Sequence, residues 1–449
     1  MTDSQYASRA LPLTLGQLDF WEEFRAHPGQ PVSTVAHLTR FTGALDRDAL
    51  AQAIDMVAAE ADVLSLRFQP GDDLPVQFVD PACRPALQVF DLRTEAEPEA
   101  RARMLISADL DRPMDLCAGH LSAMWLLRTG PETWLWYCRG HHIFLDGYSM
   151  ALIERRVAQI YAHLTQDADT GRPFARFADY LTEEAAYRAS PRHDDARDFW
   201  RQMLAAGPAP ATLRKGSEDY PAALLSAEIS LAHLADPLRQ AARRLDQGWP
   251  DLLIMLVALW LSANPESDLA PSSDGLVWLP LMGRMGSISA QVPAMVLNIA
   301  PLRVAPDPHA SLGQALAGLS AGLKALRRHG RCRIEQIDAD FGLADDQRFF
   351  FSPLINVMPF EPAIYSGCRT EREVLAAGPG DGFNVTIAAD PRADGLILFL
   401  DADPALTSTA CFEHHCNGLS RFLALTLAAP AEMRVAELMR QTQDIPADA

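Results

Sequence analysis

The feature that most restricts how this chain can fold is the uncharged apolar run "LLIMLVALWLSA" at 252–263. As a helix it extends only about 18 Å, at 1.5 Å per residue. A bilayer's hydrocarbon core is about 30 Å thick, so the run cannot span one. It must be buried inside a protein core, which requires other layers of structure to cover it. The rest of the chain supplies them. "LDRDALAQAIDMVAAEADVL" carries apolar residues at helical spacing and ends before "SLRFQP", which reads as a short strand. "ETWLWYCRGHHI", "GLVWLPLMGR" and "AMVLNIAPLRV" are strand-like, "FNVTIAADPRADGLILFLDAD" reads as a hairpin, and "CFEHHCNGLSRFLALTL" as the closing helix. Alternating helix and strand signals predict an α/β class.

At 449 residues the chain is too long for one small core. The segment "AAGPAPATLRKGSEDYPA" (205–222) is rich in Pro, Gly and charge and has no period, so it reads as a long connection near a lobe boundary. "GRPFARFADYL" to "FWRQML" before it is helical and polar, and the tail "QTQDIPADA" (441–449) reads as linker. With 39 basic against 58 acidic residues and a net charge of -19, a nucleic-acid surface is excluded and polyanions are repelled. The N-terminus lacks a basic region followed by an apolar core, so no secretory signal is read. Seven scattered cysteines, without framework spacing, read as reduced thiols of a cytoplasmic protein.

Chemistry concentrates in "HHIFLDGYS" (141–149), between the end of a strand and a helix that begins near Tyr148 or Ser149. The pattern His141-His142-x-x-x-Asp146-Gly147 arises by chance in roughly one such chain in a thousand. A neutral imidazole accepts a proton or holds a nucleophile. A carboxylate on the same turn orients the loop by pairing with an arginine, or caps the helix. Glycine permits close backbone approach, and the helix start offers free N–H groups to a developing oxyanion. Adjacent histidines on an extended segment point to opposite faces, which disfavours a shared metal ion.

Other candidates are weaker. In "CFEHHC" (411–416), helical geometry puts Cys411 and His415 on one face while His414 and Cys416 diverge, and no second ligand cluster lies at suitable spacing. No G-x-S-x-G elbow is present, and "GPGDG" (378–382) lacks the lysine of a phosphate loop and reads as a turn. "LKALRRHGRCR" (323–333) is a solvated basic face or a landing point for a phosphate or acidic partner.

These residues together resemble condensation domains of nonribosomal peptide synthetases. "HHIFLDG" is similar to their histidine motif. "LPLTLGQLDFW" resembles their opening motif, with Gln17 and Trp21 in place, and "ADVLSLRF" the second, with Leu64, Arg67 and Phe68. "FARFADYL" matches the aspartate-tyrosine motif at Asp179 and Tyr180, and "GRMGSISAQVPAMVLNIAPLRV", "RRHGRCRIEQI" and "SPLINVMPF" resemble three later motifs. The order is right and nearly the whole chain is covered. The last two lean toward the N-terminal domains of siderophore synthetases of the enterobactin type. Two departures are Ala294 and Met295 where many relatives have glycine, and Cys332 where tyrosine is common.

The resemblance implies two lobes like chloramphenicol acetyltransferase, 1–180 and 181–440, forming a V-shaped pseudo-dimer with a central tunnel. It implies amide bond formation between a donor acyl or aminoacyl thioester and an acceptor aminoacyl thioester. Donor and acceptor peptidyl or aryl carrier domains would deliver these groups on 4'-phosphopantetheine arms. No metal or directly bound cofactor, no nucleic acid and no membrane is expected, with a monomeric, cytoplasmic chain beside a downstream adenylation domain. By position, His142 handles the amine, His141 and Asp146 support, Gly147 offers an N–H to the thioester carbonyl, Arg284 pairs with Asp146, and Tyr148, Ser149 and Asn298 line the tunnel. An epimerisation domain would need a catalytic glutamate in the second lobe, and a heterocyclisation domain would replace the first histidine by aspartate. The rivals that stay open are a free-standing acyltransferase making an ester or amide with a soluble acceptor, and a non-catalytic carrier-docking domain.

Overall fold

The computed structural model describes residues 9–216, 223–269, 275–359, 363–378, 380–390 and 395–443. It divides into two compact α/β units. The first takes residues 1–192 with 282–297 and 361–379; the second takes 193–281, 298–360 and 380–449.

The first unit is built on a five-stranded sheet in the order Cys368–Ala377, Thr34–Gly43, Thr133–His141, Ala123–Arg128, Leu87–Asp91. All neighbours are antiparallel except the last pair. Thr133–His141 is buried from its second residue onward. Its side chains alternate between two cores, as a strand's period of two requires. Trp134, Trp136 and Cys138 join the core beneath helices Arg47–Glu60 and Gly147–Gln166, while Leu135 and Tyr137 pack with Ala102 and Ile106 of Pro98–Leu110.

The second unit holds a six-stranded sheet in the order Asn298–Arg303, Leu276–Leu281, Leu354–Met358, Phe383–Ala389, Leu396–Ala402, Leu225–Ser230. The apolar run forms helix Trp249–Ala263, and from Leu252 to Leu261 every residue but Ile254 is buried. Its core includes residues of Ala235–Arg244, Leu312–His329 and Thr409–Ala428. The expected hairpin forms, Phe383–Ala389 pairing antiparallel with Leu396–Ala402; its turn, 391–394, lies outside the described residues.

Three expectations need amendment. The contiguous lobes 1–180 and 181–440 give way to a break at 192/193 and to two later segments that rejoin the first unit. The reason is pairing: Cys368–Ala377 completes the first unit's sheet against Thr34–Gly43. The connection at 205–222 contains a short strand, Thr212–Arg214, paired with Gln347–Phe349, with 217–222 outside the described residues. The helix Thr409–Ala428 is followed by Val435–Gln443, so 441–443 of the expected linker are helical and 444–449 lie outside the described residues.

The returning strand is fastened by charge. Arg372 Nη1 lies 3.2 Å from Glu154 Oε2, on helix Gly147–Gln166, and Glu154 Oε1 is 2.7 Å from His37 Nδ1 on the neighbouring strand. Tyr365 donates to the Glu154 carbonyl at 3.2 Å. Burial alone raises a carboxyl's pKa, but here the His37 ring and Arg372 outweigh it and hold Glu154 below its ordinary value. The Glu154 carboxylate therefore stabilises the fold above its unfolded pKa, and that contribution disappears as pH falls through the lower folded value. Glu154→Ala, which removes the buried carboxylate facing His37 and Arg372, is expected to cost about 3–5 kcal/mol. Urea denaturation at neutral pH and at successively lower pH checks this: the gap between wild type and variant closes as the wild-type carboxylate protonates.

Candidate functional site

The histidine motif folds as strand, turn and helix, because each local bond favours that path. Strand Thr133–His141 ends at His141, whose carbonyl accepts from the N–H groups of Phe144 and Leu145, both at 3.2 Å. The chain then turns sharply, and Asp146 caps helix Gly147–Gln166. Its Oδ1 accepts from the Ser149 N–H at 2.7 Å, and the Ser149 hydroxyl accepts from the Asp146 N–H at 3.3 Å, a reciprocal capping box.

Asp146 is also the centre of a buried ion pair. Arg284 Nη2 donates to both its oxygens, at 3.0 and 2.8 Å, and the side chains are 4% and 1% exposed. Asp146 Oδ2 further accepts from the N–H groups of Val296 and Leu297, at 2.9 and 3.0 Å. The guanidinium donates to the carbonyls of Ser289, Val292 and Ala294, at 2.5, 2.8 and 2.6 Å, and lies 4.9 Å from the centre of the Tyr148 ring. Burial pushes the Asp146 pKa up, but the Arg284 charge and these hydrogen bonds override it and keep the carboxyl below its ordinary value.

The two histidines differ completely. His141 is buried, and its Nδ1 accepts from the Ile143 N–H at 3.0 Å, so the turn uses it. Burial, with His142 and Arg139 nearby, pulls its pKa down to about 3. His142 is half-buried, and its own N–H is tied to the Ser33 carbonyl at 2.7 Å. Its Nδ1 is buried without a hydrogen-bond partner. Burial lowers its pKa, against the opposing pull of the Asp146 carboxylate. Phe20, from helix Leu15–Ala26, stacks on the imidazole with centroids 4.9 Å apart and planes 15° apart. Also against the ring is Gly378, where a Cβ would stand 2.8 Å from His142 Cδ2.

Neither Phe20 nor Gly378 was singled out by its sequence context. Phe20 sits inside the opening motif beside Trp21, and Gly378 begins the "GPGDG" read as a turn. The remaining expected residues lie as follows. Gly147 starts the helix, with open space where a Cβ would be. Tyr148 is half-buried. Ser149 and Asn298 were expected to line a tunnel, but both side chains are spent elsewhere. Ser149 is wholly buried between Asp146 Oδ1 and the Ala294 carbonyl, at 2.6 and 2.7 Å. Asn298 donates to the carbonyls of Gly330 and Cys332 and accepts from the Ile334 N–H, at 2.9, 2.8 and 3.0 Å. The departures at Ala294, Met295 and Cys332 are likewise buried. Gln17 closes a capping box with Thr14 and pairs with Gln77 at 2.9 Å, so that part of the opening motif is structural.

The "CFEHHC" histidines are held by their own helix's neighbours. His415 accepts from Trp260 Nε1 at 3.0 Å and donates to the Pro265 carbonyl, and burial lowers its pKa to about 4. His414 Nε2 lies 2.9 Å from Asn264 Oδ1. Among the described residues no group of three His, Cys, Asp or Glu stands where it could hold a metal ion. In the basic segment, Arg327 pairs with Asp251 and Arg333 with Glu335. No described helix is long and apolar enough to cross a membrane.

Because Arg284 and Asp146 compensate each other's burial, losing one costs more than losing both. Arg284→Met is expected to destabilise by about 3–5 kcal/mol. The double variant with Asp146→Asn, which keeps a capping side chain, is expected to be less destabilised than the sum of the singles. A denaturant double-mutant cycle measures the coupling, and strict additivity contradicts the reading.

Comparison with known proteins agrees with this architecture. The family model for the condensation domain matches residues 8–423. The dimodular nonribosomal peptide synthase of Bacillus subtilis (strain 168) is 30% identical over 442 residues, covering 97% of this chain and 18% of that protein. Enterobactin synthase component F of Escherichia coli (strain K12) is 30% identical, covering 94% and 33%. This chain thus spans about a fifth to a third of those curated relatives. Among solved structures, VibH, a nonribosomal peptide synthetase condensation enzyme, superposes with a TM-score of 0.84 at 33% identity, covering 93% of this chain and 96% of that one. The starter condensation domain of rhizomide synthetase RzmA gives 0.76 at 26%, covering 95% and 98%. With the histidine loop and its arginine anchor in place, and a match running through both units, the chain belongs to the condensation-domain family, the amide-bond-forming acyltransferases of nonribosomal peptide synthesis.

Proposed function

We propose that the chain joins a donor acyl or aminoacyl thioester to the amine of an acceptor aminoacyl thioester. The observation that carries this is the division of labour in the histidine loop. His141 and Asp146 are committed to the turn and to Arg284, while His142 is a half-buried imidazole that no other side chain hydrogen-bonds at Nδ1. The amine nitrogen attacks the thioester carbonyl, a C–N bond forms, and the C–S bond breaks to release the donor's thiol. His142 Nε2 orients the amine and takes up its proton, which then passes to the leaving sulfur. The Gly147 N–H, at the start of the helix where no intrahelical partner exists, faces the developing oxyanion. Tyr148, half-buried on that first turn, borders the substrate in this reading.

The two thioesters arrive on phosphopantetheine arms of donor and acceptor carrier domains, with an adenylation domain nearby, in a cytoplasmic, monomeric setting and in siderophore-type synthesis. Support comes from relatives named for enterobactin and vanchrobactin synthesis and from seven cysteines present as free thiols.

The deciding experiment incubates the protein with acyl- and aminoacyl-loaded carrier domains, and with the same groups as N-acetylcysteamine thioesters, and detects amide by mass spectrometry. His142→Ala is expected to lower product formation on the order of 10²–10⁴-fold. Unchanged product removes the catalytic reading and leaves a docking role, and equal use of soluble and carrier-bound amines favours a free-standing acyltransferase. The pH profile carries a sign. The imidazole must be neutral to take a proton, and its pKa lies below the ordinary value. The acid limb of kcat/KM is therefore expected below the usual histidine range of about 6.5, and a limb above it contradicts the assignment.

A further inference from the structure

A catalytic histidine is usually held by a hydrogen bond to the ring nitrogen that does not react. In this chain no side chain makes that bond. His142 Nδ1 is buried without a side-chain partner, and the backbone of His142 itself and of Leu145 supplies its polar contact. That contact leaves the ring's face and its Cδ2–Nε2 edge to be held by packing. Phe20 lies nearly parallel on one face, at 4.9 Å and 15°. Gly378 presses against the Cδ2–Nε2 edge, its missing Cβ 2.8 Å from Cδ2 and 3.5 Å from Nε2.

The sheet brings these groups together. His142 donates its N–H to the Ser33 carbonyl, and Gly378 donates its N–H to the Thr34 carbonyl, at 2.7 and 3.0 Å. The strands that carry them flank Thr34–Gly43 on opposite sides, with Thr34 opposite His141 and Val35 opposite Ala377. Two segments far apart in sequence thus end at one place. Gly378 also has φ +79°, a left-handed conformation that side chains rarely adopt, so glycine is required both for the backbone and for the space.

We propose that Phe20 and Gly378 are positioning residues that clamp the His142 ring by packing, in place of a side-chain hydrogen bond. The clamp rests on the amide-forming role of His142 only for its consequence, and its geometry is testable without that role. Removing the Phe20 face lets the ring rotate and admits water, while adding a methyl at 378 displaces the ring from its edge. A 1 Å misplacement of a reacting group costs on the order of 100-fold in rate.

The test is NMR of protein labelled at histidine Cε1, with the His142 signal assigned by its absence in His142→Ala. Phe20→Leu and Phe20→Ala are expected to remove the ring-current shift of that signal and move its titration upward, as burial is relieved. Phe20→Tyr is expected to restore both. Gly378→Ala is expected to shift the signal with Phe20 intact. On a thioester pair that yields product, kcat falls about 10–100-fold with KM little changed. A His142 signal and titration unaltered in both Phe20→Ala and Gly378→Ala, in protein with wild-type melting, overturns the clamp. If His142→Ala keeps full activity while these signals still move, the clamp stands and the catalytic reading falls.

Discussion

The interaction on which the rest depends is the buried pair of Asp146 and Arg284. Taking two charges out of water costs several kcal/mol per ion, and their attraction repays this only where the geometry is good and further hydrogen bonds are made. Here the carboxylate collects the N–H groups of Ser149, Val296 and Leu297 as well as the guanidinium. The guanidinium in turn gathers three carbonyls from its own segment. One ion pair therefore fixes a helix N-terminus and the segment 282–297 in a single geometry. The backbone of the turn between His141 and Asp146 is tied at both ends, which sets the direction in which the His142 side chain leaves it and leaves the ring itself to Phe20 and Gly378.

That rigidity explains how two adjacent histidines come to differ. The strand's alternation sends them opposite ways. His141 faces the interior, and its ring nitrogen serves the turn; His142 faces Phe20 and Gly378. Both rings are kept neutral by burial, which suits one as a structural acceptor and the other as a proton acceptor. The Glu154 cluster, less than three helical turns beyond Asp146, performs a parallel task for the returning strand that delivers Gly378.

Much of this was legible in the sequence because it is local. The buried helix at 249–263, the hairpin at 383–402 and the strand–turn–helix of the histidine loop each follow from the periodicity of neighbouring residues. The cap at Asp146 is local too, since capping is a three-residue interaction, whereas its pairing with Arg284 spans 138 positions. What periodicity does not carry is which segment returns to which sheet. Nothing in "CRTEREVLAA" announces that it pairs with Thr34–Gly43, and so the lobes were drawn as contiguous. Gly378 was hidden for the same reason, its partner being a ring 236 positions earlier by number. Ser149 and Asn298 show a different gap: a polar side chain near a site reads as a lining group, but here both make hydrogen bonds to backbone carbonyls brought in from far along the chain.

The return of segments 282–297 and 363–378 to the first unit has a consequence for synthesis of the chain. A contiguous lobe could close soon after its last residue left the ribosome, since domains generally fold as units from the N-terminus. This one cannot. When residue 192 emerges, Asp146 is still without Arg284, and the strand Thr34–Gly43 has one bare edge. That edge waits for Cys368–Ala377, by which time most of the second unit has been made. The nascent first unit is thus an open sheet carrying an uncompensated carboxylate, and its completion is a late, long-range event. Any chimera joined between the two units at 192/193 inherits the same dependence, because the strand and the arginine travel with the other partner's sequence.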